Sequence, residues 1–159
     1  ATGAVMGPFE SFLCSRGLKT LDLRVREQCR SAAKLAEFLQ QDKRVKRVLY
    51  PGLSDHPGHE IAARQMNGGF GAMLSFELAG DFEQARNFCE ATELFQLAVS
   101  LGAVESLIEQ PASMSHASYD PEARLAFGIR DELVRISVGL EDTEDLIADL
   151  KQALHRIAG

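Results

Sequence analysis

Leu133-Val134-Arg135-Ile136-Ser137-Val138 alternates side chains of opposite character. A strand repeats every two residues, so Val134, Ile136 and Val138 are predicted to face helices while Arg135 and Ser137 face the other way. A guanidinium inside a strand flanked by apolar residues is costly to leave unpaired. It calls for a carboxylate or phosphate, which its planar fork binds in bidentate fashion. The residues alone leave two partners open: an external anion, or an internal acid such as Glu105 or Asp131.

Other segments extend this pattern. Ala72, Leu74, Phe76 and Leu78 alternate with Met73, Ser75 and Glu77, predicting a second half-polar strand over 72–78. Val45 to Tyr50 reads as a strand stopped by Pro51-Gly52. Leu94 to Ser100 is a nearly continuous apolar run and predicts a central strand, followed by a turn at Gly102. Between these lie helical patterns: Phe9–Ser15 after Pro8, interrupted by Gly17; a long helix over 18–41 with Leu21, Val25, Ala32, Leu35, Phe38 and Leu39 at helical spacing; and His59 to Met66. Asp81 with Gln84 caps a helix to Ala91, Asp120-Pro121 opens one to Phe127, and Asp142 or Thr143 caps the last, striped by Leu146, Leu150, Leu154 and Ile157. The predicted fold is α/β, an α+β two-layer sandwich with a small, mostly antiparallel sheet and helices on one face.

The 159 residues are 45% hydrophobic and 25% charged, which suits one globular domain and excludes a disordered chain. A net charge of −6 argues against nucleic acid as a partner, because phosphate contact needs a basic face. No apolar run approaches the ~18 residues of a membrane span. Cys14, Cys29 and Cys89 are an odd, widely spaced set, consistent with reduced thiols, core packing and a cytoplasmic location. The chain opens on Ala1-Thr2-Gly3 rather than Met, from which we expect it to be part of something longer.

Several local patterns point to chemistry less strongly. Asp55, His56, His59 and Glu60 put metal-ligand types within six residues, but Pro57-Gly58 makes this a turn into a helix, and no metal site is expected. Gly68-Gly69-Phe70-Gly71 has the glycine density of a phosphate loop, yet it leads into a strand rather than from a strand into a helix. Arg16 and Lys19 suit an anion or plain solvation. His116 is a candidate acid–base residue, though a structural role for a loop histidine is the more ordinary one.

Taken together in order, certain motifs resemble the Cys/Met-metabolism family of pyridoxal-phosphate enzymes. They are Arg16-Gly17-Leu18-Lys19-Thr20-Leu21; Tyr50-Pro51-Gly52-Leu53 with His56-Pro57; Ser100-Leu101-Gly102 with Glu105-Ser106-Leu107; Pro111-Ala112 with Met114-Ser115-His116; and Arg135-Ile136-Ser137-Val138-Gly139-Leu140-Glu141-Asp142. The resemblance implies the C-terminal small domain of a type I pyridoxal-phosphate fold. Residues 1–41 would be the interdomain helices and 42–159 the small domain.

The resemblance further implies that Arg135 grips a substrate α-carboxylate with Ser100 assisting, that Ser115 lies near the substrate channel, and that Val99 lines the pocket. Relatives that handle cystathionine by γ-chemistry typically carry glutamate before the serine. Val99 instead resembles methionine γ-lyases and cystathionine β-lyases, and Met114-Ser115-His116-Ala117-Ser118 resembles the latter. The implied activity is a carbon–sulfur lyase acting on cystathionine or a related thioether, with β-elimination ahead of γ. Methionine γ-lyase, a γ-synthase or sulfhydrylase, and a non-catalytic binding or assembly module are the alternatives. The family's Schiff-base lysine motif matches none of Lys19, Lys34, Lys43, Lys46 and Lys151. The implied cofactor is therefore pyridoxal 5'-phosphate bound elsewhere in a longer protein, a homotetramer in most relatives. No catalytic residue is expected within these 159.

Overall fold

Val134 and Ile136 are wholly buried, and the strand that carries them is the middle of the sheet. The computed structural model describes residues 3–157. Its elements run α1 (Pro8–Leu18), α2 (Leu21–Gln41), β1 (Val45–Leu49), α3 (His59–Gln65), β2 (Met73–Leu78), α4 (Phe82–Ala91), β3 (Gln96–Leu97), β4 (Leu107–Glu109), α5 (Pro121–Ala126), β5 (Leu133–Ser137) and α6 (Thr143–Arg156). The sheet order is β1-β2-β5-β4-β3. Every pairing is antiparallel except β3 with β4.

Leu74 and Phe76 of β2, Val134 and Ile136 of β5 and Ile108 of β4 meet Leu35 and Leu39 of α2, Phe88 of α4, and Leu146, Leu150 and Leu154 of α6 in one core. Phe76 and Phe88 pack edge to face with ring centroids 5.6 Å apart. The α/β two-layer architecture expected from the alternating strands is present. The caps are too: Asp81 and Gln84 form a reciprocal capping box on α4, and Asp120 and Asp142 each accept from backbone amides of the helix they precede.

Three expectations need correction. Gly17 does not interrupt the first helix, which continues to Leu18; the break falls at Lys19-Thr20 and α2 starts at Leu21 rather than at 18. A single glycine weakens a helix by only about 1 kcal/mol relative to alanine, too little to end it. The apolar stripe on α2 divides as well: Ala32, Leu35 and Leu39 are buried, whereas Leu21 and Val25 are exposed.

The third correction is larger. Leu94–Ser100 is not a central strand; only Gln96–Leu97 pairs, at the sheet's edge, and Leu94, Leu97 and Val99 point outward. The interior position belongs to Leu107-Ile108-Glu109, all buried and too short to register as a periodic segment. Of this run only Phe95 joins the core; the other large apolar side chains are exposed surface.

Candidate carboxylate-binding site

In β5, Arg135 stands between two core residues and points to the face that α2, α4 and α6 leave uncovered. Ser75 of β2 and Glu109 of β4 are its cross-strand neighbours. Directly opposed residues of adjacent strands share a face, so the register alone places a buried carboxylate beside the guanidinium. Arg135 Nη1 lies 3.0 Å from Glu109 Oε1, and Nη2 donates to the Ser100 carbonyl at 3.0 Å. The Arg135 side chain remains 25% exposed while that of Glu109 is 1% exposed. One N–H group is hydrogen-bonded, and Glu109 holds the guanidinium by charge, so most of its donors face the open edge.

The loop that presents Ser100 is fastened along its length. Gly102 N donates to Ser137 Oγ at 2.9 Å, Gln28 Nε2 from α2 donates to the Ala103 carbonyl at 2.8 Å, and Leu140 N donates to the Val104 carbonyl at 2.8 Å. Ser106 gives both its amide and its hydroxyl to Glu141, each at 2.7 Å, and its oxygen accepts from Gly139 N at 2.8 Å. A Cβ on Gly139 would run into Val104 O and Glu105 C, so the corner needs a residue without one. The motif residues Gly102, Ser106, Gly139 and Glu141 thus hold the acceptor of Arg135 in place.

Ser115 joins from the 110–119 loop. Its hydroxyl donates to Glu109 Oε1 at 3.0 Å, which leaves its oxygen to accept from His116 Nδ1 at 2.9 Å. His116 in turn lies against Tyr119, with ring centroids 5.3 Å apart. Arg135, Ser100 and Ser115 are therefore brought together, with three qualifications. Ser100 contributes its carbonyl to the arginine and has an exposed side, Ser115 reaches Arg135 through Glu109, and Val99, next to Ser100 in the chain, is exposed.

Glu109 is the residue that sequence reading missed. Glu105 is exposed, and Asp131 is taken by Arg124 at 2.5 Å. The available signal was the acid in Leu107-Ile108-Glu109-Gln110, a charge at the end of an apolar stretch, but only the strand register shows that it faces Arg135.

The other candidates are satisfied locally. His56 Nδ1 accepts from Gly58 N at 3.0 Å, His59 Nδ1 donates to the Pro51 carbonyl at 2.8 Å, and Asp55 accepts from Gln40 at 3.0 Å. Among the described residues no group of three His, Cys, Asp or Glu side chains is arranged to hold a metal ion. Gly68, Gly69 and Gly71 all have positive φ and lead into β2 beside Cys29. Arg16 and Lys19 line an open cleft with Arg24 and Val104. Cys29 and Cys89 are buried as expected, but Cys14 is exposed on α1, which buries no residue. Burial pushes the Cys89 thiol far up from its ordinary value. No helix of the described residues is long and apolar enough to cross a membrane.

The donor set fits a carboxylate and not a pyridoxal ring with its phosphate. All five lysines are exposed, and the ion pairs of Lys34 and Lys46, with Glu144 and Glu132, lie away from the Arg135 cluster. Fold and site together define an α/β domain that offers an arginine on the open face of its sheet. The model of the Cys/Met metabolism PLP-dependent enzymes matches residues 1–155, and the chain belongs to that family. It is 53% identical over 156 residues to an L-methionine gamma-lyase of Fusobacterium nucleatum subsp. polymorphum, covering 98% of this chain and 39% of the relative. It is 53% identical over 154 residues to a cystathionine beta-lyase of Lactococcus lactis subsp. cremoris, covering 97% of this chain and 40% of that protein. The crystal structure of yeast cystathionine gamma-lyase superposes with a TM-score of 0.95 at 50% identity, over 99% of this chain and 40% of the other. The chain thus spans about 40% of the length of the relatives it matches.

Proposed function

We propose that this chain is the carboxylate-binding part of a pyridoxal-phosphate-dependent carbon–sulfur lyase. Arg135 would receive the α-carboxylate of an amino-acid substrate, with cystathionine first and a related thioether such as methionine second. The observation that carries the reading is the position of Arg135: a guanidinium three-quarters buried on the uncovered sheet face, held on one side by Glu109 and Ser100 O. A preorganised arginine gives a carboxylate two parallel charge-assisted hydrogen bonds without first having to be ordered.

In this reading Ser100 closes the carboxylate site, Ser115 lies beside the substrate path and Val99 forms its apolar wall. Val99 stands where relatives that act on cystathionine by γ-chemistry typically carry glutamate, which supports β-elimination over γ. The cofactor supplies the electron sink when bound in the whole protein, and residues of this chain orient the substrate toward it. We assign residues 1–41 to the connection between domains and 42–159 to the small domain, with the second half of α2 packed on the sheet. Exposed Phe9, Phe12 and Leu13 on α1 support burial against further protein surface, in keeping with a homotetramer. The free cysteines Cys14, Cys29 and Cys89 support a cytoplasmic location.

A second reading has its own observation. The 3.0 Å contact of Arg135 with Glu109 is what an internal structural ion pair would show, and a binding module without chemistry would need nothing more. Kinetics of the whole protein separate the two. Removing a charged partner from a carboxylate costs about 2–5 kcal/mol, so Arg135→Ala should raise KM for cystathionine by a factor of roughly 30 or more. Arg135→Lys, which keeps a cation beside buried Glu109, guards against simple misfolding and should still raise KM. Unchanged KM in both variants overturns the proposal and favours the structural pair.

A further inference from the structure

We propose that Glu109 is a positioning residue for the substrate carboxylate, acting through Arg135; this rests on the reading of Arg135 given above. Glu109 Oε1 accepts from the Ser115 hydroxyl at 3.0 Å and forms an ion pair with Arg135, with Nη1 3.0 Å away. Glu109 Oε2 is buried and, among the described residues, has no hydrogen-bond partner. A carboxylate loaded on one oxygen and bare on the other is a poor device for stabilising a fold. Desolvation of the bare oxygen opposes the gain from the ion pair, and a well-packed apolar residue would serve stability at least as well. What the arrangement does achieve is orientation.

A carboxylate and a carbonyl at fixed places set the orientation of a guanidinium. One is Glu109 Oε1, locked by its own cross-strand register with Arg135 and by Ser115. The other is Ser100 O, in a loop tied down by Ser137, Gln28, Leu140 and Glu141. With Nη2 held by its bond to Ser100 O and Nη1 drawn to Glu109 by the ion pair, the guanidinium keeps one orientation toward the open edge. Loss of the carbonyl acceptor cannot be tested by substitution, since every residue has one. Loss of the carboxylate can.

The experiment uses the whole protein carrying Glu109→Met, Glu109→Gln and Arg135→Lys, singly and with Arg135→Lys combined with Glu109→Met. Methionine fills the space without accepting a strong hydrogen bond, while glutamine keeps an acceptor at the same place. Two quantities are measured: the KM and kcat split for cystathionine, and the equilibrium Kd of glycine, a carboxylate-bearing amino acid with no sulfur leaving group, by calorimetry. Glu109→Met should raise KM and the glycine Kd by about tenfold or more with kcat changed much less, since misaligned contacts of this kind lower binding on that scale. Glu109→Gln should stay within about threefold of the unaltered protein. In the Arg135→Lys background, Glu109→Met should add little, because there is no guanidinium left to orient.

Outcomes separate cleanly. If Arg135→Lys leaves KM and the glycine Kd unchanged, the carboxylate role of Arg135 falls and this inference with it. If Arg135→Lys raises both but Glu109→Met does not, or if the two changes multiply in the combined variant, only the positioning role of Glu109 is overturned. Equal losses in Glu109→Met and Glu109→Gln would show that charge rather than geometry matters and would also overturn it. If Glu109→Met does not fold, the Gln variant decides: a tenfold rise there contradicts the inference, and near-unaltered binding supports it.

Discussion

Asp149 on α6 is the most informative position at which to test the packing of this domain. Its buried carboxylate accepts from the amides of Glu93 at 2.8 Å, Leu94 at 2.8 Å and Phe95 at 3.2 Å, and from Gln152 Nε2 at 2.9 Å. These three consecutive amides follow α4 and lead into β3, so one side chain anchors the start of the segment that ends at Ser100. Hydrogen bonds to a charged acceptor contribute about 1.5–3 kcal/mol each. Glu93 and Leu94 are exposed enough for water to replace most of their share, whereas Phe95 is buried. Asp149→Ala should therefore weaken the segment by about 2–4 kcal/mol, a loss set mainly by the buried Phe95 amide. Hydrogen–deuterium exchange of the whole protein, read by mass spectrometry over residues 92–98, would report this locally. At about 1.4 kcal/mol per tenfold, exchange should accelerate by roughly 30-fold to 1000-fold there, with α2 and β2 unchanged. An acceleration below fivefold over 92–98 would refute the anchoring role, and uniform acceleration across the chain would show that the residue serves global stability instead.

Other consequences can be checked with simple measurements. Burial pushes the Tyr50 hydroxyl up to about 12 from an ordinary value of 10.0, and it donates to the Gly71 carbonyl at 3.1 Å. Because the fold favours the neutral phenol, its contribution is fully present below about pH 10 and is lost as pH climbs through 12, so the stability advantage over Tyr50→Phe in thermal melts should shrink across that window. The Cys89 thiol, buried and shifted far upward, should resist iodoacetamide at pH 8 until denaturant is added; rapid native alkylation would contradict its placement in the core. Gly69 has φ +145°, and a Cβ there would sit 2.8 Å from Cys29 Cβ. Gly69→Ala should lower the melting temperature by an amount corresponding to about 1–3 kcal/mol, and Cys29→Ala should not rescue it, since that change keeps the clashing Cβ.

Much of this was legible in the chain because two local rules were obeyed without conflict. Val134, Ile136, Leu74 and Phe76 follow strand alternation, and Asp81, Asp120 and Asp142 stand at helix starts, so β5, β2 and three helices could be placed from residues alone. The run 94–100 failed for a physical reason: hydrophobicity measures the wish to leave water, not the surface that grants it, and Leu94, Leu97 and Val99 find none within this domain. Glu109 escaped for another. A three-residue strand has too few repeats to show a period, and pairing it with Arg135 requires a register across the loop and helix of residues 110–132. Ordered motifs spread along the chain indicated the family, while the fold brings distant ones into contact, as Ser106, Gly139 and Glu141 close one corner.

The two edges of the sheet bear on how such a domain stays soluble while it folds. An unpaired strand edge is a template on which another chain can add itself. On one side β3 is just two residues long, offering too little backbone for a foreign strand to hold. On the other, β1 carries exposed Lys46 and Arg47, and its register shifts between Val45 and Arg47. A passing copy of the same edge meets like charge and a misaligned ladder. Brevity guards one border and charge with irregularity the other, so the open face that carries Arg135 can remain bare without the sheet growing sideways into an aggregate.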